Sequence, residues 1–291
     1  MTDLINNDSI NQILPGLYII ATPIGNMLDL PTRAKNILKL ADVVLCEDTR
    51  HTSKLLKHYN IKSQTIAYHE HNASAVRPKI LKCLKNGETH ALVSDAGTPL
   101  LADPGFKLVR EAIDQNIMIS GVPGPNAGIF ALILSGLPSN KYLFLGFLSA
   151  KAKSRQTELK EFCNINASLI IYESPRRLPS LLRDAYNVLG SRECAIAREL
   201  TKYYEEVIRG SLSELAEKFT SSDILKGEFT VVIGPPKKND QEYINDKTDK
   251  ELQILLKHMS IKNAVDFLSH SSSIKRNVLY NRAVLLKNKN Q

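Results

Sequence analysis

The chain has 291 residues, 43% hydrophobic and 23% charged, a globular composition with length for about two domains at roughly 100–200 residues each. No apolar run reaches the roughly 18–20 residues of a membrane span, and the longest, 128–148, is interrupted by Gly136, Pro138, Asn140 and Lys141. The net charge is +8, and residues 237–291 carry +5 of it through 11 basic and 6 acidic side chains, an excess at one end that suits a polyanionic partner.

The polar N-terminus (MTDLINNDSINQ) has no basic region followed by an apolar stretch, so no secretory signal is read in it, and 1–14 is expected to be a flexible lead-in. From there short apolar runs alternate with amphipathic stretches. LYIIAT (17–22) reads as a strand, and Leu30, Ala34, Ile37, Leu38 and Ala41 follow helical spacing. ADVVLCED (41–48), TIAYHE (65–70), HALVSDAG (90–97) and MISGVPG (118–124) read as further strands. Helices are expected over Val76–Leu84, stopped by Asn86-Gly87, and over Phe106–Gln115. Apolar strands interleaved with helices predict an α/β domain over 15–124 with a mainly parallel sheet.

A second α/β domain is expected over 125–236. Ala127–Leu134 reads as a helix, and YLFLGFL (142–148), SLIIYES (168–174), ECAIARE (193–199), EEVIRGS (205–211) and EFTVVIG (228–234) as strands. Little helix separates the strands between Glu193 and Ser211, which predicts a mixed sheet with antiparallel pairs. A polar linker (235–250) then leads into a basic helical tail, broken at SHSSSIKR (269–276), so that 237–291 forms a linker and small helical extension.

Cys46, Cys83, Cys163 and Cys194 form no C-x-x-C pair, which favours reduced, buried thiols in a reducing cytoplasm over a zinc site or disulfides. His69 and His71 lack H-E-x-x-H spacing and have no evident third ligand, so no metal is expected.

Chemistry is expected beyond the strand ends, where open parallel sheets bind ligands. Three such ends are rich in Gly, Pro and small polar residues: ATPIGNMLDLPTRA (21–34), SDAGTPLLADPG (94–105) and GVPGPNAG (121–128). Neither G-x-G-x-x-G nor G-x-x-x-x-G-K-[ST] occurs, so the loops suit a ligand without a pyrophosphate.

LYIIATPIGNMLDLPTRA, CEDTRHTSKLL (46–56), SDAGTPLLADPG, VPGPNA (122–127), YESPRRL (172–178), ARELTKYYEEVIRGSLSEL (197–215) and GEFTVVIGP (227–235) follow one another in this chain. In that order they resemble the tetrapyrrole methylases, and within them the branch of the ribosomal RNA small subunit methyltransferase I proteins. The resemblance implies two α/β domains around a cleft for S-adenosylmethionine, usually in a homodimer. It also implies methylation of a cytidine ribose 2′-hydroxyl in the decoding region of 16S rRNA, on free rRNA or the small ribosomal subunit. Carried over residue by residue, it places the cofactor against Pro23, Gly97, Thr98, Pro99, Ala102, Asn126 and Ala127, with Glu173 nearby. Two departures from the wider family, Thr22-Pro23-Ile24-Gly25-Asn26 in the first loop and Thr98 for an aspartate, count against a tetrapyrrole substrate.

A ribose hydroxyl is a poor nucleophile at neutral pH, so a general base or polarising cation is expected. Candidates at strand ends are Asp48, Glu173 and Glu199, with Arg50, Arg198 and Lys202 as cations beside them. Arg50, Arg176, Arg177, Arg198, Lys202 and the tail cations are the candidate RNA contacts. For any single one of the three carboxylates and the cations beside them, a structural salt bridge or loop cap outweighs a catalytic role. A tetrapyrrole C-methyltransferase and a non-catalytic RNA-binding protein on the same fold remain the alternatives at this stage.

Overall fold

The structure, a computed structural model, describes residues 13–220, 226–236, 246–271, 274 and 276–289. The expected lead-in over 1–14 therefore lies almost wholly outside the described residues, as does the expected linker from 237 to 245. Two compact units are present, Met1–Pro236 and Lys237–Gln291.

The first half of the larger unit runs β1 (Gly16–Ile20), α1 (Thr32–Leu40), β2 (Val43–Cys46), α2 (Thr49–His58), β3 (Gln64–Ala67), α3 (Ala73–Lys85), β4 (Thr89–Val93), α4 (Phe106–Asp114) and β5 (Ile119–Val122). The strands form a parallel sheet in the order β3-β2-β4-β1-β5. Its central strands are buried on both faces, as parallel sheets require. Tyr18, Ile20, Val44 and Cys46 face one cluster with Ala34, Ile37 and Leu38 of α1. Leu17, Val43 and Leu45 face the other with Ile80, Leu81, Leu84, Leu108 and Ala112. The third strand is shorter than the sequence predicts: it stops at Ala67, so His69 and His71 lie in the turn to α3 and not on a strand face.

The second half runs α5 (Ala127–Ser135), β6 (Tyr142–Gly146), α6 (Ala152–Glu161), β7 (Ser168–Glu173), α7 (Leu178–Leu189), β8 (Glu193–Arg198), β9 (Glu206–Ser211), α8 (Leu212–Lys218) and β10 (Phe229–Ile233). Its sheet is mixed, ordered β6-β7-β10-β8-β9, with only β6 and β7 parallel. Helix α5 covers one face through Ala131 and Leu132 on Ile170, Ala197 and Val232. Leu159, Leu181, Leu182, Leu212 and Leu215 of α6–α8 pack on the other, against Leu169, Ile171, Val231 and Ile233.

Helices α2, α6, α7 and α8 escape the sequence reading. In α6 only Arg155 and Leu159 are buried, so its apolar periodicity is too weak to register.

The smaller unit comprises α9 (Asp246–His258), α10 (Ile261–Ser271) and α11 (Arg276–Lys289) around Leu252, Val265, Leu268, Val278, Leu279, Ala283 and Leu286. Ion pairs Arg282–Asp249 and Arg276–Asp266 join its helices, while Lys250, Lys257, Lys262 and Lys287 are exposed. The expected break over 269–276 separates α10 from α11, and a second, unexpected break near Ser260 separates α9 from α10. Among the described residues no helix is long and apolar enough to cross a membrane.

Candidate active site

The loops after β4, β1 and β5 leave three neighbouring strands and are stitched to one another. Thr22 and Gly97 exchange backbone hydrogen bonds of 2.9 and 3.0 Å, and the Thr22 hydroxyl donates to the Ser94 carbonyl at 3.1 Å. Gly97 sits at φ +85°, a conformation open to glycine at little cost. The Thr98 hydroxyl donates to the Pro125 carbonyl at 3.0 Å and accepts from Asn126 Nδ2 at 3.4 Å. Asn126 in turn caps α5, its Oδ1 accepting from Ile129 N–H at 2.9 Å. Leu100 and Ala102 hold positive φ in the second loop, as do Glu199 and Thr201 after β8. Strained non-glycine residues of this kind cluster at functional sites.

These loops bound a cavity of about 360 Å³ whose opposite wall comes from the second half. The first half contributes Ile24, Gly97, Thr98, Leu101, Ala102 and Asp103. Asn126 and Ala127 open the second half, which adds Phe147, the end of β7 (Tyr172 to Pro175) and the start of β10 (Gly227 to Thr230). Antiparallel pairing explains that last contribution. Phe229 lies opposite Glu173, so the beginning of β10 meets the end of β7 at one edge.

Glu173 has a fully buried carboxylate. Its Oε1 accepts from Ser174 N–H at 2.8 Å and lies 3.1 Å from Arg177 Nε, whereas Oε2 is buried without a hydrogen-bond partner. Buried polar atoms are rarely left unpaired, and Glu173 is among the residues that line the cavity. Tyr172 accepts from Gly128 N–H at 3.0 Å, and burial pushes its hydroxyl pKa up.

Asp103 contrasts with both. Burial, then the neighbouring charge of Glu47, pushes its carboxyl up to about 6, with Asp95 adding and a Ser94 hydrogen bond opposing. Such a group favours the folded state at low pH. Its contribution is complete below the ordinary value near 3.8 and is lost as pH rises through about 6. Asp103→Asn is therefore expected to melt at a higher temperature than wild type at pH 8 and at the same temperature below pH 4, in thermal scans across that range. An equal difference at both pH values would sink this assignment.

The tetrapyrrole (corrin/porphyrin) methylase family matches residues 16–216. The chain belongs to this family. Within it the chain groups with proteins named ribosomal RNA small subunit methyltransferase I. That of Mesorhizobium japonicum is 44% identical over 274 residues, covering 94% of this chain and 92% of its own. That of Vibrio cholerae is 40% identical over 96% of this chain and 97% of its own, and that of Halalkalibacterium halodurans 46% identical over 75% of each. Among solved structures, uroporphyrin-III-C-methyltransferase from Thermus thermophilus superposes with a TM-score of 0.53 at 17% identity, covering 76% of this chain and 94% of that one. A diphthine synthase superposes at 0.58 and 13% identity, covering 75% and 89%. At these identities the likeness shows the fold alone, two α/β halves around a cleft.

Of the residues the family resemblance assigns to the cofactor, Gly97, Thr98, Ala102, Asn126 and Ala127 all line the cavity. Pro23 instead lines an adjoining hollow of about 210 Å³ with Thr22, His51, Asp95 and Lys202. Pro99 lines neither. Thr98, standing where the wider family has an aspartate, ties the second loop to the third. Sequence reasoning missed Asp103, Phe147, Tyr172 and Gly227–Thr230. The motifs YESPRRL and GEFTVVIGP marked two of these segments without saying that they meet.

The three candidate carboxylates are held apart. Asp48 lines neither cavity, caps α2, and pairs with Arg50 at 3.0 Å. The Arg50 side chain, then its backbone N–H, holds the Asp48 carboxyl down at about 2. Glu199 bonds Lys202 Nζ at 2.9 Å and Glu228 N–H at 2.9 Å. Burial pushes its carboxyl up, but these bonds hold it below the ordinary value. Of the three, only Glu173 lines the cavity between the two halves.

The candidate RNA contacts are similarly engaged. Lys202 bridges Glu199 and Glu228, and Arg198 donates to the Lys226 carbonyl at 3.0 Å. Arg177 is tied to Glu173 and the Leu148 carbonyl. Arg50 is exposed beside Asp48, and Arg176 is exposed with no ion pair among the described residues. The four cysteines are free thiols, Cys46 and Cys194 buried and the other two half-buried. Among the described residues, Cys83, Glu88 and His90 lie close enough to share an ion. They sit at the start of β4, at the opposite end of that strand from the loop that lines the cavity.

Proposed function

We propose that this chain transfers the methyl group of S-adenosylmethionine to a cytidine ribose 2′-hydroxyl in the decoding region of 16S rRNA. The observation that carries the reading is the cavity, which gathers five of the seven family cofactor positions together with Glu173, whose buried Oε2 has no hydrogen-bond partner. Its volume falls in the range of about 300–1,000 Å³ usual for small-molecule sites. The donor set fits this cofactor. Glu173 Oε2 suits an ammonium or hydroxyl, and Ile24, Leu101, Phe147 and Phe229 offer apolar walls for a purine. A fold neighbour from Thermus thermophilus bears S-adenosyl homocysteine, and relatives at 40–46% identity are named for the small-subunit RNA.

S-adenosylmethionine supplies an electrophilic methyl on a sulfonium when bound. The work left to this chain is positioning and proton handling. The stitched loops fix one wall, and positioning of that kind lowers a barrier by roughly 7–11 kcal/mol in favourable cases. Exposed Arg50 and Arg176 serve RNA phosphates, where affinity falls steeply with salt. Recognition of the 2′-hydroxyl restricts the substrate to RNA. No metal has a part in this scheme. The site of action is the cytoplasm, and Phe130 and Ile133, exposed on α5, suit a homodimer.

The test is methylation of small ribosomal subunits and free 16S rRNA, with the modified nucleoside identified by mass spectrometry. A methyl group on a base, or no transfer despite cofactor binding, would overturn the reading. Ending the chain at Pro236, the boundary between the compact units, is expected to weaken RNA binding at least tenfold and leave S-adenosylmethionine affinity unchanged. Gel shift and calorimetry check this, and equal loss of both would make the tail structural.

A further inference from the structure

Four residues lining the cavity carry titratable groups: Asp103, Tyr172, Glu173 and Glu228. Three are committed. Glu173 is tied to Arg177 and the Ser174 N–H. Glu228 pairs with Lys202 at 3.1 Å. Tyr172 accepts from Gly128 and stays protonated at neutral pH. Asp103 alone of the three carboxylates has no ion pair among the described residues. The groups around it are Ser94, Glu47 and Asp95 from its own half, and its charge is felt by Tyr172 on β7 across the cavity.

Its loop is held firmly. Leu100 and Ala102 just before it take positive φ. Gly105 just after it packs so closely on Leu92 that a Cβ there would stand 2.9 Å from that side chain. Asp103 is half-buried, so a proton it takes up inside the cavity has a route to solvent.

We propose that Asp103 is the general base of methyl transfer, accepting the proton of the attacking ribose hydroxyl. The assignment rests on the function proposed above. As the oxygen–methyl bond forms, the methyl–sulfur bond breaks and its electron pair returns to sulfur. The hydroxyl proton passes to the Asp103 carboxylate, which releases it to water, leaving a neutral thioether and a 2′-O-methyl ribose. A carboxyl lifted to about 6 suits the role, since it is ionised at neutral pH yet more basic than an ordinary carboxylate.

The test compares wild type with Asp103→Asn, a neutral isostere. Calorimetry measures S-adenosylmethionine affinity, gel shift measures RNA affinity, and single-turnover methylation of small subunits is followed from pH 5.5 to 9. Carboxyl-carbon NMR titrates Asp103 in the cofactor-free chain. The expected result is affinity for both ligands within threefold, a rate at least 100-fold lower, loss of an acidic limb near pH 6, and a carboxyl that titrates near 6. A rate within threefold of wild type overturns the proposal. So does a fall in S-adenosylmethionine affinity as large as the fall in rate, which would make Asp103 a cofactor ligand. Wild-type protein that neither binds S-adenosylmethionine nor methylates small subunits would instead refute the function itself.

Discussion

Arg155→Ala is expected to destabilise the larger unit by about 3–5 kcal/mol, the cost of leaving one member of a buried ion pair alone. Arg155 is 2% exposed and Asp184 6%. Arg155 Nε donates to Asp184 Oδ2 at 2.8 Å, and a second guanidinium nitrogen reaches the same oxygen. Its Nη1 donates to the carbonyls of Ser149 and Ala150, each at 3.2 Å, while Gln156 Nε2 donates to Asp184 Oδ1 at 2.7 Å. The guanidinium thus joins α6, α7 and the turn after β6. Alanine would strand the Asp184 charge and two carbonyls together. In a unit of this size the loss corresponds to roughly 6–20 °C in melting temperature. The double variant Arg155→Met, Asp184→Leu removes both charges and is expected to recover most of the stability. Chemical denaturation checks both, and a loss under about 1 kcal/mol for Arg155→Ala would show that the pair is well solvated.

The second large effect is on binding. Glu173→Gln is expected to raise the S-adenosylmethionine dissociation constant by about 10- to 100-fold, since a hydrogen bond to a charged group contributes about 1.5–3 kcal/mol. Glutamine keeps an acceptor for the Ser174 N–H, which preserves the end of β7. It places a donor where Oε2 now stands buried and unpaired, on a residue that lines the cavity. Calorimetry would show the change in affinity, and thermal melting within about 2 °C of wild type would exclude a folding defect. An affinity within twofold of wild type would mean that Oε2 does not face the bound molecule.

The two experiments probe features of different legibility. Glu173 ends an apolar strand, and strand ends are where parallel sheets place chemistry, so pattern and motif together lead to it. Arg155 belongs to a helix whose exposed face is polar and whose buried face shows one leucine and one arginine. Nothing in its neighbourhood distinguishes it from a solvent-exposed cation. Burial of that guanidinium depends on Asp184, 29 residues away, being turned to the same spot. Asp103 is hidden for a related reason. The sequence shows an aspartate before Pro104, while its elevated carboxyl comes from burial first and then from Glu47, with Asp95 adding.

By itself the sequence located the ten strands of the described residues, because apolar runs and the turns that interrupt them are recorded in local chemistry. It also determined the three cleft loops, since clustered glycine and proline disfavour both helix and strand, and its motifs carried the family. Tertiary structure alone decided which carboxylates share a space. It tied Asp48 to its own helix cap and Glu199 to Lys202. It brought Asp103 and Glu173 from opposite halves to one cavity. The physical reason is distance along the chain: a proton affinity or an unpaired acceptor is a property of the surrounding atoms, and at this site those atoms come from segments far apart in sequence.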